Sequence, residues 1–441
     1  MIEKYLVKKI TEPVDWKVTV PGSKSMTNRA LLLAALSAGT VRVEGVLFSD
    51  DSRHFLACLV SLGFAVQIEE EKKCVTVTGC GGRIPSREAV IDVGSAGTAA
   101  RFLAAMLGFS DGCYEIRCSA QMKRRPMAEL FDRLSGAGAK ITFLEEEGHL
   151  PVRITGCRYA RADKTAGETP RELSLDITKS TQFLSALLLI APMVPEGMKI
   201  HITSEKTDGS YIRITRKMMQ EFGVSVAFDG RDYEVSCRSS YRKETYMVEP
   251  DMSAACYFYA AAAVTGGRAL VRHVHMDNTQ GDLRFLEVLE RMGCKADDTP
   301  EGVRVTGPAD GALRGITVNM NDFSDQALTL AAIAPFADAP VRIEGIGHIR
   351  GQECDRIHAI QTNLTALGIR CEEEETAATI YPGSPHGGNV ETYDDHRVAM
   401  AFSLIGLRTD GIVIENPACC RKTFEDYFTV LSELTGKKTE A

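Results

Sequence analysis

The apolar residues of this chain form a pattern that returns along its length. Five apolar segments each end on a glycine and are followed by a strand-like segment; the glycines are Gly63, Gly138, Gly223, Gly293 and Gly368. A helix that ends on a glycine with positive φ and leads into a strand produces this pattern. The copies are roughly 70–85 residues apart, and a degraded sixth copy, Leu434-Thr435-Gly436, stands near the C-terminus. The spacing predicts six copies of one α/β unit.

Each predicted unit also contains a second helix, seen as an apolar run that follows small, hydroxylated or charged residues. In the first half these starts are small, hydroxylated or cationic, whereas in the second half they carry carboxylates and one histidine. The first type suits anions, and the second suits proton transfer as well as capping. The six starts are Pro21–Arg29, Gly94–Thr98, Lys179–Gln182, Asp251–Ser253, Ser324–Gln326 and Asp394–Arg397.

These two groups of helix starts predict two domains of three units each. The composition changes at Glu249–Asp251, and Pro21–Gly22 is the matching point near the N-terminus. We therefore expect one domain formed by residues 1–21 with 250–441 and another formed by residues 22–249. The active site is expected in the cleft between them, where anion-binding and proton-transferring helix starts would meet.

The stretch Pro21–Arg29 has the features of an anion site. Its small and hydroxyl residues precede the apolar run Ala30–Ala38, as at a helix N-terminus. Lys24 in the turn and Arg29 one turn later would meet the backbone N–H groups and the positive end of the helix dipole. The spacing of a Walker A loop is missing. Taken alone, a surface N-cap with two solvated cations explains the stretch as well.

Other cations form further candidates for anion binding. Lys123–Arg125 places three positive charges before a proline without an acidic neighbour, while Glu353–Arg356 and Asp395–Arg397 pair acids with arginine. Arginine suits bidentate binding of carboxylate and phosphate, although a surface salt bridge explains any single case. Cations of like sign that line a cleft would repel each other, so we expect the domains to be open when empty.

Composition excludes several classes of function. The chain has 441 residues, 44% of them hydrophobic, and its net charge of −8 argues against a general nucleic-acid binder. Its 13 cysteines form no C-x-x-C pair, which indicates reduced thiols. The N-terminus lacks the apolar core of a signal peptide, and the longest apolar stretch is shorter than the roughly 20 residues that span a bilayer. We expect a cytoplasmic protein without membrane or nucleic-acid partners.

Nine segments, in order and over about Val20–Phe428, closely resemble the 5-enolpyruvylshikimate-3-phosphate (EPSP) synthase family. The segments are PGSKSMTNRALLLAAL, GSAGTAARFLAA, MKRRPM, KSTQFLSALLLIAP, TQGDLRF, NMNDFSDQALTLA, ECDRI, DDHRVAMAFSL and KTFEDYF. The resemblance implies an α/β fold with two domains, each an inside-out barrel of three βαβαββ repeats.

The resemblance also implies transfer of the enolpyruvyl group of phosphoenolpyruvate to the 5-hydroxyl of shikimate 3-phosphate, with release of phosphate and without metal or cofactor. The reaction belongs to chorismate and aromatic amino acid biosynthesis, and the family is the target of glyphosate. The motifs fit within one chain, so a monomer is expected.

Position by position, the resemblance also implies which side chains contact each substrate. Those for shikimate 3-phosphate are Lys24, Ser25, Arg29, Ser180, Thr181, Gln182, Ser204, Asp325, His348 and Gln352. Those for phosphoenolpyruvate are Lys24, Gly97, Arg125, Gln182, Arg356, Arg397 and Lys422. The implied catalytic residues are Asp325 as the base at the 5-hydroxyl, Glu353 as the acid that protonates the methylene carbon, and Lys24.

The chain departs from the family pattern at the acceptor side. His348 and Gln352 stand where the family usually has an asparagine and a lysine, and either Ser204 or Thr207 could be the hydroxyl residue that contacts the acceptor phosphate. An enolpyruvyl transferase for another hydroxylated acceptor, or a silent anion-binding homologue, is the alternative. The UDP-N-acetylglucosamine enolpyruvyl transferase family has a catalytic cysteine where this chain has Ala120, with Cys118 two positions out of register.

Overall fold

The computed structural model describes residues 3–157, 170–236, 239–308 and 312–436. The chain divides into two compact units. Gly22–Glu249 form one unit, here called the continuous unit, and Met1–Pro21 with Pro250–Ala441 form the other, here called the divided unit. The chain therefore passes from one unit to the other twice, at Pro21–Gly22 and at Glu249–Pro250.

The strands are short and the α-helices alternate with them along the chain. The strands are β1 (Lys4–Leu6), β2 (Asp15–Val18), β3 (Thr40–Glu44), β4 (Ala65–Glu69), β5 (Cys74–Thr78), β6 (Glu88–Asp92), β7 (Cys113–Arg117), β8 (Lys140–Phe143), β9 (Val152–Thr155), β10 (Arg171–Leu175), β11 (Met198–Ile202), β12 (Ala227–Phe228), β13 (Asp232–Val235), β14 (Thr245–Met247), β15 (Arg268–Arg272), β16 (Lys295–Thr299), β17 (Gly302–Thr306), β18 (Thr317–Asn319), β19 (Val341–Glu344), β20 (Cys371–Glu373), β21 (Ala378–Ile380), β22 (Gly388–Val390) and β23 (Ile412–Glu415). The α-helices are α1 (Lys24–Leu36), α2 (Asp50–Ser61), α3 (Gly97–Gly108), α4 (Ala120–Lys123), α5 (Ala128–Gly136), α6 (Thr181–Ile190), α7 (Ser210–Glu221), α8 (Met252–Thr265), α9 (Phe285–Arg291), α10 (Ala327–Ile333), α11 (Arg356–Ala366), α12 (His396–Gly406) and α13 (Tyr427–Gly436). Short 3₁₀ segments are Glu70–Lys72, Ala191–Met193, Gly281–Arg284, Ser324–Gln326, Ala334–Phe336, Gly347–Gly351 and Pro417–Lys422.

Six sheets repeat one plan. Each contains one parallel pair of strands, which a crossover helix can connect; the pairs are β14–β3, β6–β7, β10–β11, β2–β15, β18–β19 and β22–β23. Five of the sheets add an antiparallel hairpin to this pair. The sixth sheet, β1-β23-β22, has the single antiparallel strand β1 in place of the hairpin. The predicted α/β fold with six repeated units is confirmed, and one copy is shortened.

Besides β1 in the sixth sheet, two more strands complete sheets whose other strands come from a distant part of the chain. Strand β2 pairs with β15 in the divided unit, where Asp15 lies opposite Arg268. Strand β14 pairs with β3 in the continuous unit, where Thr245 lies opposite Arg42. Strands β2 and β14 thus each take the first position of a βαβαββ repeat, and each is separated in sequence from the other strands of that repeat.

The recurring glycines end helices as the pattern predicts. Their φ angles lie in the left-handed region, which glycine adopts without a steric penalty: Gly63 at +87°, Gly138 at +100°, Gly223 at +90°, Gly293 at +104° and Gly368 at +83°. The prediction is wrong for the sixth copy, because Gly436 is the last residue of helix α13 rather than a left-handed turn residue.

Each unit surrounds buried helices with sheets. Every residue of α3 and of α12 is buried, as expected for helices that are apolar on all sides. Strand β9 instead alternates buried and exposed residues, so its sheet has one face toward the helices and one toward solvent. The buried apolar side chains form one cluster in each unit. Within the described ranges, no helix is both long and apolar enough to cross a membrane.

Candidate active site

In the continuous unit, the first turns of three buried helices are in contact. Asn28 Nδ2 on α1 donates a hydrogen bond to Thr98 Oγ1 on α3 over 2.6 Å. Arg101 Nη1 on α3 donates to Gln182 Oε1 on α6 over 3.0 Å. The fold thus gathers the predicted anion-binding starts Pro21–Arg29, Gly94–Thr98 and Lys179–Gln182 at one end of this unit.

Gly97 and Arg125 form a close pair at this end. A Cβ atom on residue 97 would lie 2.6 Å from Arg125 Nη1 and 2.7 Å from Arg101 Nη1, so only glycine leaves room for both guanidinium groups. Arg125 Nε is buried and has no hydrogen-bond partner among the described residues. A buried guanidinium nitrogen without a partner is costly unless a ligand supplies an acceptor. This arrangement suits a bound phosphate or carboxylate.

Lys24 and Arg29, on the first two turns of α1, have different surroundings. Lys24 Nζ lies 3.3 Å from Asp51 Oδ2, with 18% of the lysine side chain exposed. Arg29 is only 1% exposed, and it donates from Nε to Thr215 Oγ1 over 2.8 Å and from Nη1 to the Ser25 carbonyl over 2.8 Å. Burial lowers the pKa of Arg29 to about 10, so the group stays cationic at neutral pH.

The hydroxyl residues of the predicted acceptor site have mostly local partners. Ser180 is the N-cap of α6, and its Oγ accepts from the Gln182 N–H over 3.2 Å. Ser204 is buried; its Oγ donates to the Lys206 carbonyl over 2.9 Å and accepts from the Ile177 N–H over 3.2 Å. The Ser204 hydroxyl therefore shapes the turn that contains Thr207.

In the divided unit, Arg356 is the centre of a buried ionic cluster. The side chain is 1% exposed; its Nε donates to Asp395 Oδ2 over 2.8 Å. Its Nη1 donates to Asp325 Oδ1 over 3.0 Å, and its Nη2 donates to Glu353 Oε2 over 2.9 Å. Gln352 Oε1 also accepts from Nη1. One guanidinium thus connects both predicted proton-transfer residues with the N-cap of α12.

The other two predicted substrate cations of the divided unit, Arg397 and Lys422, are paired as well. Arg397 Nη2 donates to Asp325 Oδ2 over 3.0 Å. Lys422 Nζ donates to the Asp394 carbonyl over 3.0 Å and lies 3.5 Å from Asp394 Oδ2. A carboxylate neutralises each of these cations, which weakens the like-charge repulsion expected between them; the open arrangement of the empty domains stays a prediction. A substrate anion would have to exchange with these carboxylates.

The cluster Lys123–Arg125 also differs from its sequence-based interpretation. Lys123 Nζ donates to Glu145 Oε1 over 2.6 Å and to Glu145 Oε2 over 2.7 Å, although no acidic residue adjoins it in sequence. Glu145 comes from the turn after β8, 22 residues away. Pairing of this kind, between a helix and a distant turn, leaves no signal in local spacing.

Asp282 is a site residue that the sequence did not single out. It is buried, and its Oδ2 accepts from Gln326 Nε2 over 2.8 Å and from the Ser253 hydroxyl. Burial, and then the charge of Asp325, raises the pKa of Asp282 to about 6. Asp51 and Arg101 were missed in the same way. Asp282 and Arg101 lie inside two of the nine family-like segments, TQGDLRF and GSAGTAARFLAA. Their position in these segments was the only sequence signal that could have marked them as site residues.

The two unusual acceptor-side residues have specific partners. His348 is exposed, and its Nε2 lies 2.8 Å from Ser324 Oγ, directly before the predicted base Asp325. Gln352 contacts the guanidinium of Arg356 as an acceptor. The neutral glutamine therefore adds no positive charge beside Arg356.

Cys118 does not have the properties of a nucleophile. It is half-buried, and this burial raises the pKa of its thiol to about 11. A thiol with such a pKa is almost fully protonated at neutral pH. The position that would need the cysteine is Ala120, the first residue of α4. The cysteine-dependent chemistry of the rival family is thus not supported.

Comparisons with known proteins show the family of this chain. The model of the family described as EPSP synthase (3-phosphoshikimate 1-carboxyvinyltransferase) matches residues 8–431. A 3-phosphoshikimate 1-carboxyvinyltransferase of Trichormus variabilis (strain ATCC 29413 / PCC 7937) is 41% identical over 429 residues, 97% of this chain and 98% of the relative. One of Yersinia pseudotuberculosis serotype IB (strain PB1/+) is 38% identical over 429 residues, 96% of each chain.

Solved structures of other proteins have the same fold as this chain. EPSP synthase from Acinetobacter baumannii superposes with a TM-score of 0.78 at 25% identity, covering 98% of this chain and 97% of that chain. The enolpyruvyl transferase NikO from Streptomyces tendae, at 17% identity and a TM-score of 0.74, has the same fold. With the family model, curated relatives and fold in accord, this chain belongs to the EPSP synthase (3-phosphoshikimate 1-carboxyvinyltransferase) family.

Proposed function

We propose that this chain carries out its family's reaction with the two residue sets described above. The reaction transfers the enolpyruvyl group of phosphoenolpyruvate to the 5-hydroxyl of shikimate 3-phosphate and releases phosphate. Neither unit holds all the required groups, since the unpartnered Arg125 belongs to the continuous unit and the predicted acid and base belong to the divided unit. Both sets would therefore act on the same substrates. All of these groups come from one chain, in keeping with a monomer.

The acceptor is assigned mainly to the helix starts of the continuous unit. Lys24 supplies a partly exposed cation at the start of α1, and Ser180, Thr181 and Gln182 supply polar groups at the start of α6. Cations and helix N-termini together favour a phosphate and a carboxylate. Ser25, Arg29 and Ser204 complete this side, with Asp325, His348 and Gln352 from the divided unit.

Phosphoenolpyruvate is assigned to the remaining cations. Arg125 beside Gly97 has a buried guanidinium nitrogen that lacks an acceptor. Arg356, Arg397 and Lys422 are held by carboxylates. Binding of the substrate's phosphate and carboxylate would replace part of this pairing, and the cations would then stabilise the phosphate as it leaves.

Two carboxylates carry the proton transfers. In the addition step, the oxygen of the 5-hydroxyl attacks C2 of phosphoenolpyruvate, Asp325 takes the hydroxyl proton, and Glu353 donates a proton to C3. In the elimination step, the bond from C2 to the phosphate oxygen breaks, the proton taken up by Asp325 passes to the leaving phosphate, and Glu353 takes a proton back from C3 as the double bond forms again. Lys24 supplies positive charge beside the substrates.

The observation that carries this assignment is the position of Asp325 and Glu353 on the same guanidinium. Arg356 Nη1 donates to Asp325 over 3.0 Å, and Arg356 Nη2 donates to Glu353 over 2.9 Å. The predicted base and acid are thus held next to each other, although 28 residues separate them in sequence. A silent anion-binding protein would not need such a pair.

The test is release of phosphate by the purified chain. We expect release only when phosphoenolpyruvate and shikimate 3-phosphate are both present, with stoichiometric formation of the enolpyruvyl ether. Assays that omit each substrate in turn, and one with unphosphorylated shikimate, are the controls. No turnover with shikimate 3-phosphate would overturn the acceptor assignment, and turnover with another hydroxylated acid would replace it.

A further inference from the structure

Arg350 lies in the loop that joins β19 to α11, and this loop contains His348, Gln352 and Glu353. The loop begins as the 3₁₀ segment Gly347–Gly351 and ends at Asp355, the N-cap of α11. Such a short irregular segment has few backbone hydrogen bonds of its own, so side chains must hold it in place.

The guanidinium of Arg350 connects this loop to the neighbouring hairpin β20–β21. Its Nη1 donates to Asp355 Oδ1 over 2.9 Å, to Asp355 Oδ2 over 2.8 Å and to Glu373 Oε1 over 2.8 Å. Its Nη2 donates to the Glu374 carbonyl over 2.7 Å, and its Nε donates to the Glu375 carbonyl over 3.0 Å. All three guanidinium nitrogens are therefore engaged, and two of the acceptors are backbone atoms of the hairpin turn.

Asp355 transmits this restraint to the site. Its Oδ1 also accepts from the His358 N–H over 3.1 Å, which caps α11. Arg356, the first residue of α11, holds Asp325 and Glu353. A shift of Asp355 would therefore move Arg356 together with both carboxylates.

We propose that Arg350 is a positioning residue for the reaction: through Asp355 it sets the places of Glu353 and Arg356 without contacting substrate. This inference rests on the proposed function, which gives Glu353 and Arg356 their roles. Lysine at position 350 would keep the charge but lose the planar fork that binds four acceptor groups at once. Misplacement of catalytic groups by about 1 Å costs roughly 10²-fold in rate.

Arg342 provides a matched control in the same sheet. It donates to Glu344 over 2.8 Å, to Thr379 over 3.0 Å and to Glu374 Oε2 over 3.0 Å, so it makes a comparable set of bonds to the same hairpin. None of these acceptors belongs to the loop of Arg350. Arg342→Lys should therefore cost similar stability and leave the site in place.

The experiment compares Arg350→Lys with Arg342→Lys in steady-state assays with both substrates. We expect Arg350→Lys to lower kcat by about 10- to 100-fold with smaller changes in KM, and Arg342→Lys to leave kcat within about twofold. Amide hydrogen exchange should become faster in residues 347–355 in the first variant only. Equal kcat values for the two variants would overturn the proposal and leave Arg350 with a structural role.

Asp355→Asn tests the same connection from the other side. Asparagine caps a helix as well as aspartate does, so this variant weakens the ion pair while α11 keeps its cap. We expect kcat to fall, and the double variant with Arg350→Lys to show no further fall. Additive losses, or an unchanged kcat in Asp355→Asn, would contradict the proposal. This variant also carries the test if Arg350→Lys does not fold.

Glu353→Gln separates this inference from the proposed function. If Glu353→Gln keeps near-normal kcat, the role of Glu353 is wrong. If Glu353→Gln is impaired while Arg350→Lys is not, only the positioning role of Arg350 is wrong.

Discussion

Arg125 lies against Gly97 so closely that a Cβ atom at position 97 would come within 2.6 Å of its Nη1. A Cβ atom at position 97 would therefore require the Arg125 guanidinium to move away from the start of α3. Real Cβ atoms do not approach this closely, so any larger residue at position 97 must displace Arg125.

Gly97→Ala should therefore weaken phosphoenolpyruvate binding. The displaced Arg125 would lose a charge-assisted contact of about 1.5–3 kcal/mol, which raises the KM for phosphoenolpyruvate by roughly 10- to 100-fold. Steady-state kinetics at saturating shikimate 3-phosphate measures this change. Gly136→Ala is the control, because a Cβ atom there meets nothing within 4 Å. An unchanged KM in Gly97→Ala would remove Arg125 from the substrate site.

Asp325→Asn and Glu353→Gln keep the size of each side chain and remove its ability to exchange protons. Each should lower kcat by about 10²–10⁴-fold, while substrate binding, measured by calorimetry, is largely kept. The amide forms can still accept hydrogen bonds from Arg356, so the cluster is expected to stay folded. Near-normal turnover in either variant would show that its assigned role is wrong.

Asp394 pairs with Lys422, one of the cations proposed to bind phosphoenolpyruvate. Its φ of +56° is left-handed, as is that of Tyr393 at +54°, and Asn416 Nδ2 donates to Asp394 Oδ1 over 3.3 Å. Asparagine adopts this backbone conformation readily, so Asp394→Asn removes the charge without added strain.

Because the Asp394 side chain is 58% exposed, the effect of Asp394→Asn should be small. We expect the KM for phosphoenolpyruvate to fall by up to about fivefold, equivalent to about 1 kcal/mol. Asp410→Asn, another exposed carboxylate of the same unit, is the control. A higher KM in Asp394→Asn would mean that Asp394 assists binding instead.

Asp282 should make the stability of the fold depend on pH. Its pKa is raised from 3.8 to about 6, because burial and the neighbouring Asp325 disfavour the charged form. The stabilisation from protonated Asp282 is therefore full below about pH 4 and is lost as the pH rises through 6.

Asp282→Asn keeps a neutral group at this position at every pH. Its free energy of unfolding, relative to that of the native chain, should increase between pH 4 and 7 by up to about 3 kcal/mol, since each pKa unit corresponds to about 1.4 kcal/mol. Urea unfolding across this range measures the difference. A difference that does not change with pH would show that Asp282 is charged throughout.

His348 should affect acceptor binding through its protonation. It is exposed and lies 2.8 Å from Ser324 Oγ, next to the base Asp325. The protonated ring would attract the acceptor anion, so the KM for shikimate 3-phosphate should rise as the pH increases from about 6 to 8. The same profile in His348→Asn is the control. Identical profiles would leave His348 as a neutral hydrogen-bonding replacement for asparagine.

The local features of this chain could be predicted from its sequence. Gly63 and Gly368 end helices in left-handed turns, and Asp251 and Asp395 cap helices, because these conformations depend on a residue and its immediate neighbours. The sixth repeat was the exception: Gly436 continues helix α13, and strand β1 from the other end of the chain takes the place of a hairpin.

The electrostatic partners of the site were decided by the tertiary structure alone. Arg356 meets Asp395, which is 39 residues away in sequence, and Asp325, which is 31 residues away. No spacing rule predicts such pairs, since they depend on how helices from different repeats pack. The raised pKa of Asp282 depends in the same way on burial and on Asp325. The sequence by itself determined where helices start and which chemical groups stand there, whereas packing decided which of those groups are charged, paired and held together.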